Sequence, residues 1–290
     1  MANSQVWVVG EALIDLVPKG QTRVPIVGGG PANTAKALSR LGYATSFIGG
    51  ISSDKYGEMI EAELAGIDLS LTHRSDLPTA LAIATLDESG SASYEFKLDE
   101  TATFDFRNEW LPSGSPGLLH IGTLATVIEP GASVLLNWAS EFDCPIIFDP
   151  NIRPSVMRDK MKYLEIFERW AKLADVVKMS DEDLSWLGYS DISPILDMGA
   201  ALVVVTRGAD GITGYTCNES VSVPGVKVQV VDTVGAGDTV GAVLVEGLLE
   251  NGITSLVGEK LFEVLSRAAK AAAITCSRVG ASPPKRAELE

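Results

Sequence analysis

Short apolar runs alternate along the chain with longer stretches whose apolar positions recur every three or four residues. Residues 6–9, 44–49, 118–121, 145–148, 175–178 and 201–206 form runs of strand length. Residues 32–41, 131–141, 158–173, 181–187, 236–250 and 258–276 carry the helical period, the first of them ended by Gly42. Strands that are apolar throughout and alternate with helices predict crossover units. The expected fold is therefore α/β, with a mostly parallel sheet covered on both faces. One segment departs from this rhythm. Residues 79–97 read as two extended runs around Asp87-Glu88-Ser89-Gly90, a hairpin pattern in a polar region with no adjacent helix. A further extended piece is expected at about 13–26. Together these predict a small sheet projecting from the main one, a candidate lid. An edge hairpin of the main sheet is the plainer alternative. The tail 281–290 reads as solvated.

Charge and composition narrow the partners. A net charge of −15 and a pI of about 4.6 argue against nucleic acid or an anionic membrane as the main partner. They do not exclude an anionic ligand at a local site. No apolar run is long enough to span a membrane, and the N-terminus reads as a first strand without a basic leader, so a cytoplasmic protein is expected. Cys144, Cys217 and Cys276 are odd in number and far apart, which predicts buried reduced thiols. His73 and His120 stand alone, so a histidine metal centre is not expected.

In an open parallel sheet, ligands bind beyond the carboxyl ends of the strands, and several polar motifs fall there. Asp15 lies in the otherwise apolar 8–18 segment; it should be paired or face a cleft, where it can accept hydrogen bonds from a polyol. Residues 27–42 are a glycine turn feeding a helix, with Pro31 in the first turn and Asn33 offering both a donor and an acceptor. The dinucleotide fingerprint GxGxxG is absent. Asp149, Asn151 and Arg153 follow the 145–148 strand. Ser180 and Asp183 suit a phosphate-bound water or a metal, and Thr206, Gly208 and Gly211 suit a nucleotide pocket. Each of these is also ordinary turn or cap chemistry.

The stretch Asp232-Thr233-Val234-Gly235-Ala236-Gly237-Asp238 carries the strongest chemistry. Small residues at a helix start bare N–H groups and the positive end of the helix dipole, an anion hole for a transferring phosphoryl group. A carboxylate beside that anion is repulsive unless it takes a proton from an attacking hydroxyl, which is the role expected of Asp238.

The motifs GEALIDLVP, GGGPAN, DPNIR, TRGADG and DTVGAGD occur in an order that resembles the ribokinase-like (PfkB) carbohydrate kinase family over nearly the whole chain. GEALIDLVP, DPNIRP and TCSRVGASPP look most like the fructokinases within it. The resemblance implies a Rossmann-type three-layer sandwich with a mostly parallel central sheet. It also implies a β-sheet lid, built from segments at about 13–26 and 79–105 of a single domain spanning 1–290. It implies Asp15, Gly29, Gly30 and Asn33 as sugar-binding residues. Asp238 is implied as the base, Gly235, Ala236 and Gly237 as the anion hole, with Arg153 counted among the catalytic set. Ser180, Thr206, Gly208 and Gly211 fall to the nucleotide. Asp183 falls to Mg²⁺, although Ser180-x-x-Asp183 replaces the family's Asn-x-x-Glu with a shorter acid. Asp232 and Thr233, with the 276–282 loop, fall to a monovalent cation such as K⁺. The implied activity is ATP-dependent phosphorylation of a sugar, D-fructose to fructose 6-phosphate, with a second copy as a candidate partner at the lid. Alternatives are another sugar or nucleoside, such as 2-keto-3-deoxygluconate or ribose, and a non-catalytic sugar-binding regulator.

Overall fold

A computed structural model describes residues 5–20, 22–86, 92–157 and 159–290. An eight-stranded sheet runs, from one edge to the other, through Ser220–Val223, Ile212–Tyr215, Leu202–Thr206, Val176–Ser180, Ile146–Asp149, Leu118–Gly122, Val6–Val9 and Thr45–Ile48. From Leu202–Thr206 onward every pairing is parallel, and the two strands at the opposite edge are antiparallel. The central strands are buried on both faces, which is why they read as unbroken apolar runs.

Helices Gly30–Arg40, Ala236–Asn251 and Gly258–Cys276 cover one face, packing Leu38, Val243 and Leu265 on Val8, Ile147 and Val204. Helices Gly131–Ala139 and Lys160–Leu173 cover the other, packing Leu135, Phe167 and Trp170 on Ile121, Phe148 and Val177. The result is the expected three-layer α/β sandwich.

A separate four-stranded sheet joins Thr22–Gly28, Leu13–Lys19, Leu81–Leu86 and Ala92–Lys97, in that order. The two expected extended segments therefore form one small sheet, and the pair does not extend the edge of the main one. The turn expected at 87–90 lies outside the described residues.

Several elements differ from expectation. Helix Lys55–Glu63 follows Asp54, which caps it by accepting from the N–H groups of Tyr56 and Gly57 at 2.9 and 2.8 Å. Short strands Gly50–Ser52 and His73–Ser75 pair beside it. The expected burial of the cysteines needs correcting: Cys217 is exposed on the 216–219 turn, and Cys144 and Cys276 are half-buried. The tail is not simply solvated. Pro283, Pro284 and Leu289 are buried, and Arg286 Nε donates to Leu41 O at 2.7 Å. Among the described residues, no helix is long and apolar enough to cross a membrane.

Candidate active site

The carboxyl ends of the parallel strands and the start of the Ala236–Asn251 helix converge on Asp238. Gly235 caps that helix with φ 79°, a conformation that suits glycine, and no side chain caps it. Its turn is closed by Ala236 N–H donating to Thr233 O at 3.3 Å, so Ala236 contributes less than Gly237 to a donor cradle here. The absence of a side chain at Gly235 also matters for contact: a Cβ there would lie 2.6 Å from Ala281 Cβ, so the 276–282 loop packs directly on the turn.

Asp238 is only 8% exposed. Asn33 Nδ2 donates to its Oδ2 at 2.9 Å, and Thr34 Oγ1 donates to its backbone carbonyl at 3.4 Å. Burial pushes its carboxyl up to about 6, with Lys178, Asn33 and Arg153 opposing and Asp149 assisting. That value suits a base working near neutrality. The other oxygen faces Gly30: a Cβ at Gly30 would stand 3.2 Å from Asp238 Oδ1, 3.2 Å from Asn151 Nδ2 and 2.7 Å from Thr123 Cγ2. Glycine at 30 therefore keeps open a space that three polar residues border.

Asp15 approaches from the small sheet, paired across the strands with Ile26 and Ala82. Its carboxylate lies over Gly28, where any side chain would collide with it. Burial raises Asp15 to about 6, and the Arg153 charge pulls it back. Arg153 thus acts electrostatically on both Asp15 and Asp238. Its Nη1 donates to Asn151 Oδ1 at 2.8 Å, holding the left-handed Asn151 (φ 38°) in place. Gly29, at φ 110°, caps the Gly30–Arg40 helix and packs against the Glu11 carbonyl.

Ala236, Gly237 and Val240, flanking Asp238 in the chain, line a cavity of about 600 Å³. Thr206, Gly208, Gly211, Thr233, Ala236 and Gly237 all line it, so the expected nucleotide residues and the expected anion hole share one space. The remaining wall is mostly valine and alanine from the 225–230 segment and the last long helix. Ser180 is not part of this wall. It and Asp183 form a capping box: Asp183 N–H donates to Ser180 Oγ at 3.0 Å and Ser180 N–H to Asp183 Oδ2 at 2.9 Å. Asp183 Oδ1 accepts from Ile152 N–H at 2.8 Å, so the acid clamps the 149–154 loop. Asp232 splices two loops in the same manner, its oxygens accepting from Val234 N–H at 3.0 Å and Gly280 N–H at 2.9 Å. Among the described residues, no group of three His, Cys, Asp or Glu side chains is arranged to hold a metal on its own.

Three further buried polar residues, Lys178, His120 and Glu11, stand near these strand ends without the sequence having marked them for the site. Lys178 Nζ donates to Asp149 Oδ2 at 2.8 Å, with both side chains buried. His120 is buried with both ring nitrogens unpartnered, and burial holds it neutral, its pKa lowered to about 3. Glu11 accepts from the Thr123 hydroxyl and from Ala125 N–H at 3.1 Å, fixing Thr123 at φ 57°.

A buried carboxylate at a glycine-rich helix start, next to a residue that lines a largely apolar cavity, is an arrangement suited to phosphoryl transfer. The description "pfkB family carbohydrate kinase" matches residues 3–288, and the chain belongs to that family. It is a carbohydrate kinase. A fructokinase from Rhizobium leguminosarum bv. trifolii is 38% identical over 255 residues, covering 82% of this chain and 78% of that one. A fructokinase from Xylella fastidiosa, solved with bound ATP, superposes with a TM-score of 0.90 at 27% identity, covering 99% of this chain and 97% of that one. A double mutant of a Vibrio cholerae fructokinase, solved with fructose, ADP and a potassium ion, gives 0.85 at 30% identity, covering 99% and 97%.

Proposed function

We propose that the protein transfers the γ-phosphoryl group of ATP to the 6-hydroxyl of D-fructose. The observation that carries this reading is Asp238 itself: buried, bonded to Asn33, bordering the space left by Gly30, and next in the chain to Gly237, which lines the cavity. Asp15 and Asn33 hold the sugar by accepting and donating hydrogen bonds. Asp238 takes the proton of the hydroxyl. The hydroxyl oxygen forms its bond to the γ-phosphorus as the bond to the β-phosphate oxygen breaks, and ADP leaves with that electron pair. The Gly235–Gly237 turn and Arg153 face the charge that spreads over the transferring group. The apolar cavity beyond Thr206, Gly208 and Gly211 suits the nucleoside.

Among the described residues no carboxylate cage is arranged for a metal, so Mg²⁺ would be held mainly by the nucleotide phosphates, whose charge it would neutralise. Ser180 and Asp183 then shape the phosphate side through the loop they clamp, and the remaining lone pairs of Asp183 are free for a metal-bound water. K⁺ at Asp232, Thr233 and the 276–282 loop would order the turn. The whole of 1–290 works as one domain in the cytoplasm. The small sheet at about 13–26 and 79–105 is its lid and excludes water. A second copy is the expected partner at that sheet, whose edge strand exposes Val24 and Ile26.

The relatives named as fructokinases support fructose as the acceptor. The test is a coupled ADP-release assay with MgATP and a panel of fructose, ribose, adenosine and 2-keto-3-deoxygluconate. The highest kcat/KM is expected for fructose. A clear preference for any other member replaces the acceptor and leaves the chemistry at Asp238 in place.

A further inference from the structure

Lys178 is the one cation in the buried set among the described residues, at 4% exposure. Its place follows from the sheet register. Ile147 pairs with both Val176 and His120, so His120, Asp149 and Lys178 project from one face, the face covered by the Ala236–Asn251 helix. The lysine reaches up to the first turn of that helix. A Cβ at Gly237 would stand 3.0 Å from Lys178 Nζ, so the ammonium lies directly behind the backbone of a residue that lines the cavity.

We infer that Lys178 is a positioning residue of the phosphoryl-transfer site, its ammonium behind Gly237 keeping Asp238 ionised and adding positive charge beneath the anion-binding turn. This rests on the reading of Asp238 as the base. Stability alone is a poor reason for the pair with Asp149, because a buried ion pair is often no better than apolar packing. The cluster also fails to close its own hydrogen bonds: Asp149 Oδ1 and both His120 nitrogens have no partner. A cation at this point acts in the same direction as the helix dipole, toward whatever lies in front of Gly237.

The groups around Asp238 fix the sign of the effect. Lys178 approaches from its strand, Asp149 from the neighbouring strand, Arg153 from the loop after it, and Asn33 from the Gly30–Arg40 helix. Neutral His120 sits behind, where a Cβ at Gly241 would be 3.2 Å from its Nε2, and Asp183 faces Lys178 from its helix. Burial and Asp149 raise Asp238, and Lys178 is the largest opposing influence. Removing it raises Asp238 further, so the deprotonated base is lost at higher pH.

The experiment measures the acid limb of kcat/KM, with the best sugar of the panel, in full-length wild type, Lys178→Met and Lys178→Met/Asp149→Asn. The double variant removes the unpaired carboxylate, so it decides the matter if the single variant does not fold. In Lys178→Met the limb should move up by about one pH unit or more, the scale set by a nearby opposite charge. Activity should recover toward alkaline pH, with the sugar Kd unchanged. In the double variant a smaller upward shift remains, because the lysine outweighs Asp149. A folded variant whose limb stays at the wild-type pH overturns the inference, whatever its rate. If Asp238→Asn still transfers phosphate at the wild-type rate, the base assignment falls and this inference with it. If Asp238→Asn is inactive but Lys178→Met leaves the limb in place, this inference alone falls.

Discussion

The two sides of the site are made of different material. On one side Asn151 and Asp238 border a space kept open by Gly30, with Asn33 bonded to Asp238 and Asp15 over nearby Gly28. On the other, the cavity of about 600 Å³ is walled mostly by glycine, alanine and valine, with Thr206, Lys227 and Thr233 as its polar side chains. A polyol is held by directional bonds to side chains, whereas a nucleoside and its phosphates are held by apolar surface and backbone N–H groups. The first side can therefore be dismantled one functional group at a time. The second yields mainly to changes of shape. Asp238 belongs to both, and its removal should have the largest effect.

Asp238→Asn keeps the size and one hydrogen bond of the side chain but cannot take a proton. General-base catalysis contributes typically about 10²–10⁴-fold, so kcat should fall by that factor with fructose affinity nearly unchanged. Single-turnover transfer with both ligands saturating measures this directly. A folded variant with near wild-type transfer would make Asp238 a helix-start residue only. Stability should move the opposite way. The folded carboxyl titrates at about 6 against an ordinary 3.8, so the folded state holds a proton more tightly than the unfolded state. The stability this group contributes is present below the unfolded value and is lost as pH rises through about 6. The asparagine variant should therefore melt above wild type at pH 7.5, and the gap should close toward pH 4. A gap of equal size at both pH values would contradict the burial argument.

Asp15→Ala breaks the sugar side alone. Losing a charged acceptor costs about 1.5–3 kcal/mol, roughly 10- to 150-fold in sugar Kd, with ATP binding unaffected. Calorimetry on both ligands separates this from a structural role, in which both affinities fall together. Asp15 also titrates at about 6, so wild-type sugar affinity should weaken as pH drops below that value. Gly211→Ala strikes the nucleotide side. Gly211 sits at φ 106° with the Val223 carbonyl where a Cβ would go. Strain of about 1–3 kcal/mol at such a position should shift the wall and weaken ATP roughly tenfold, with sugar Kd intact. Equal weakening of both ligands would mean that the two sides are not separable.

How much of this was legible in sequence depended on whether a residue's meaning is local. The parallel strands were, because burial on both faces leaves an unbroken apolar run. Their ends were read short: Ile146–Asp149 takes in Asp149, and Val176–Ser180 runs two residues beyond Lys178, whose ammonium pairs with Asp149 across the register. Helix Lys55–Glu63 buries only Gly57 and Ile60 and so has little apolar stripe to detect. In the candidate site, the glycine turns and Asp238 stand out in sequence because small residues and an acid at a helix start suggest a chemistry by themselves, and the structure places them together. Asp15 was found as a carboxylate in an apolar run, and the same rule applied to Glu11 would have flagged the residue that fixes Thr123. His120 and Lys178 carried no such signal, since each matters only through its neighbours on other strands.

The smallest expected effect concerns the junction where the 233–237 turn meets the 276–282 loop. Asp232 already ties these pieces together through Val234 and Gly280, and the Cys276 carbonyl accepts from the N–H groups of Val231 and Asp232 at 2.8 and 3.2 Å. Gly235 packs on Ala281 at the same place. A monovalent cation there would add to a junction that hydrogen bonds already hold, and each carboxylate oxygen of Asp232 keeps lone pairs to offer it. Its benefit should therefore appear in the ordering of the turn, on the side of the site where backbone acts. Replacing a large organic cation by K⁺ at fixed ionic strength should raise kcat a few-fold at most and leave sugar Kd unchanged, and Asp232→Asn should flatten that response. A K⁺ effect on sugar affinity instead of kcat would place the cation on the wrong side of Asp238. A response that persists undiminished in Asp232→Asn would remove this junction as its site.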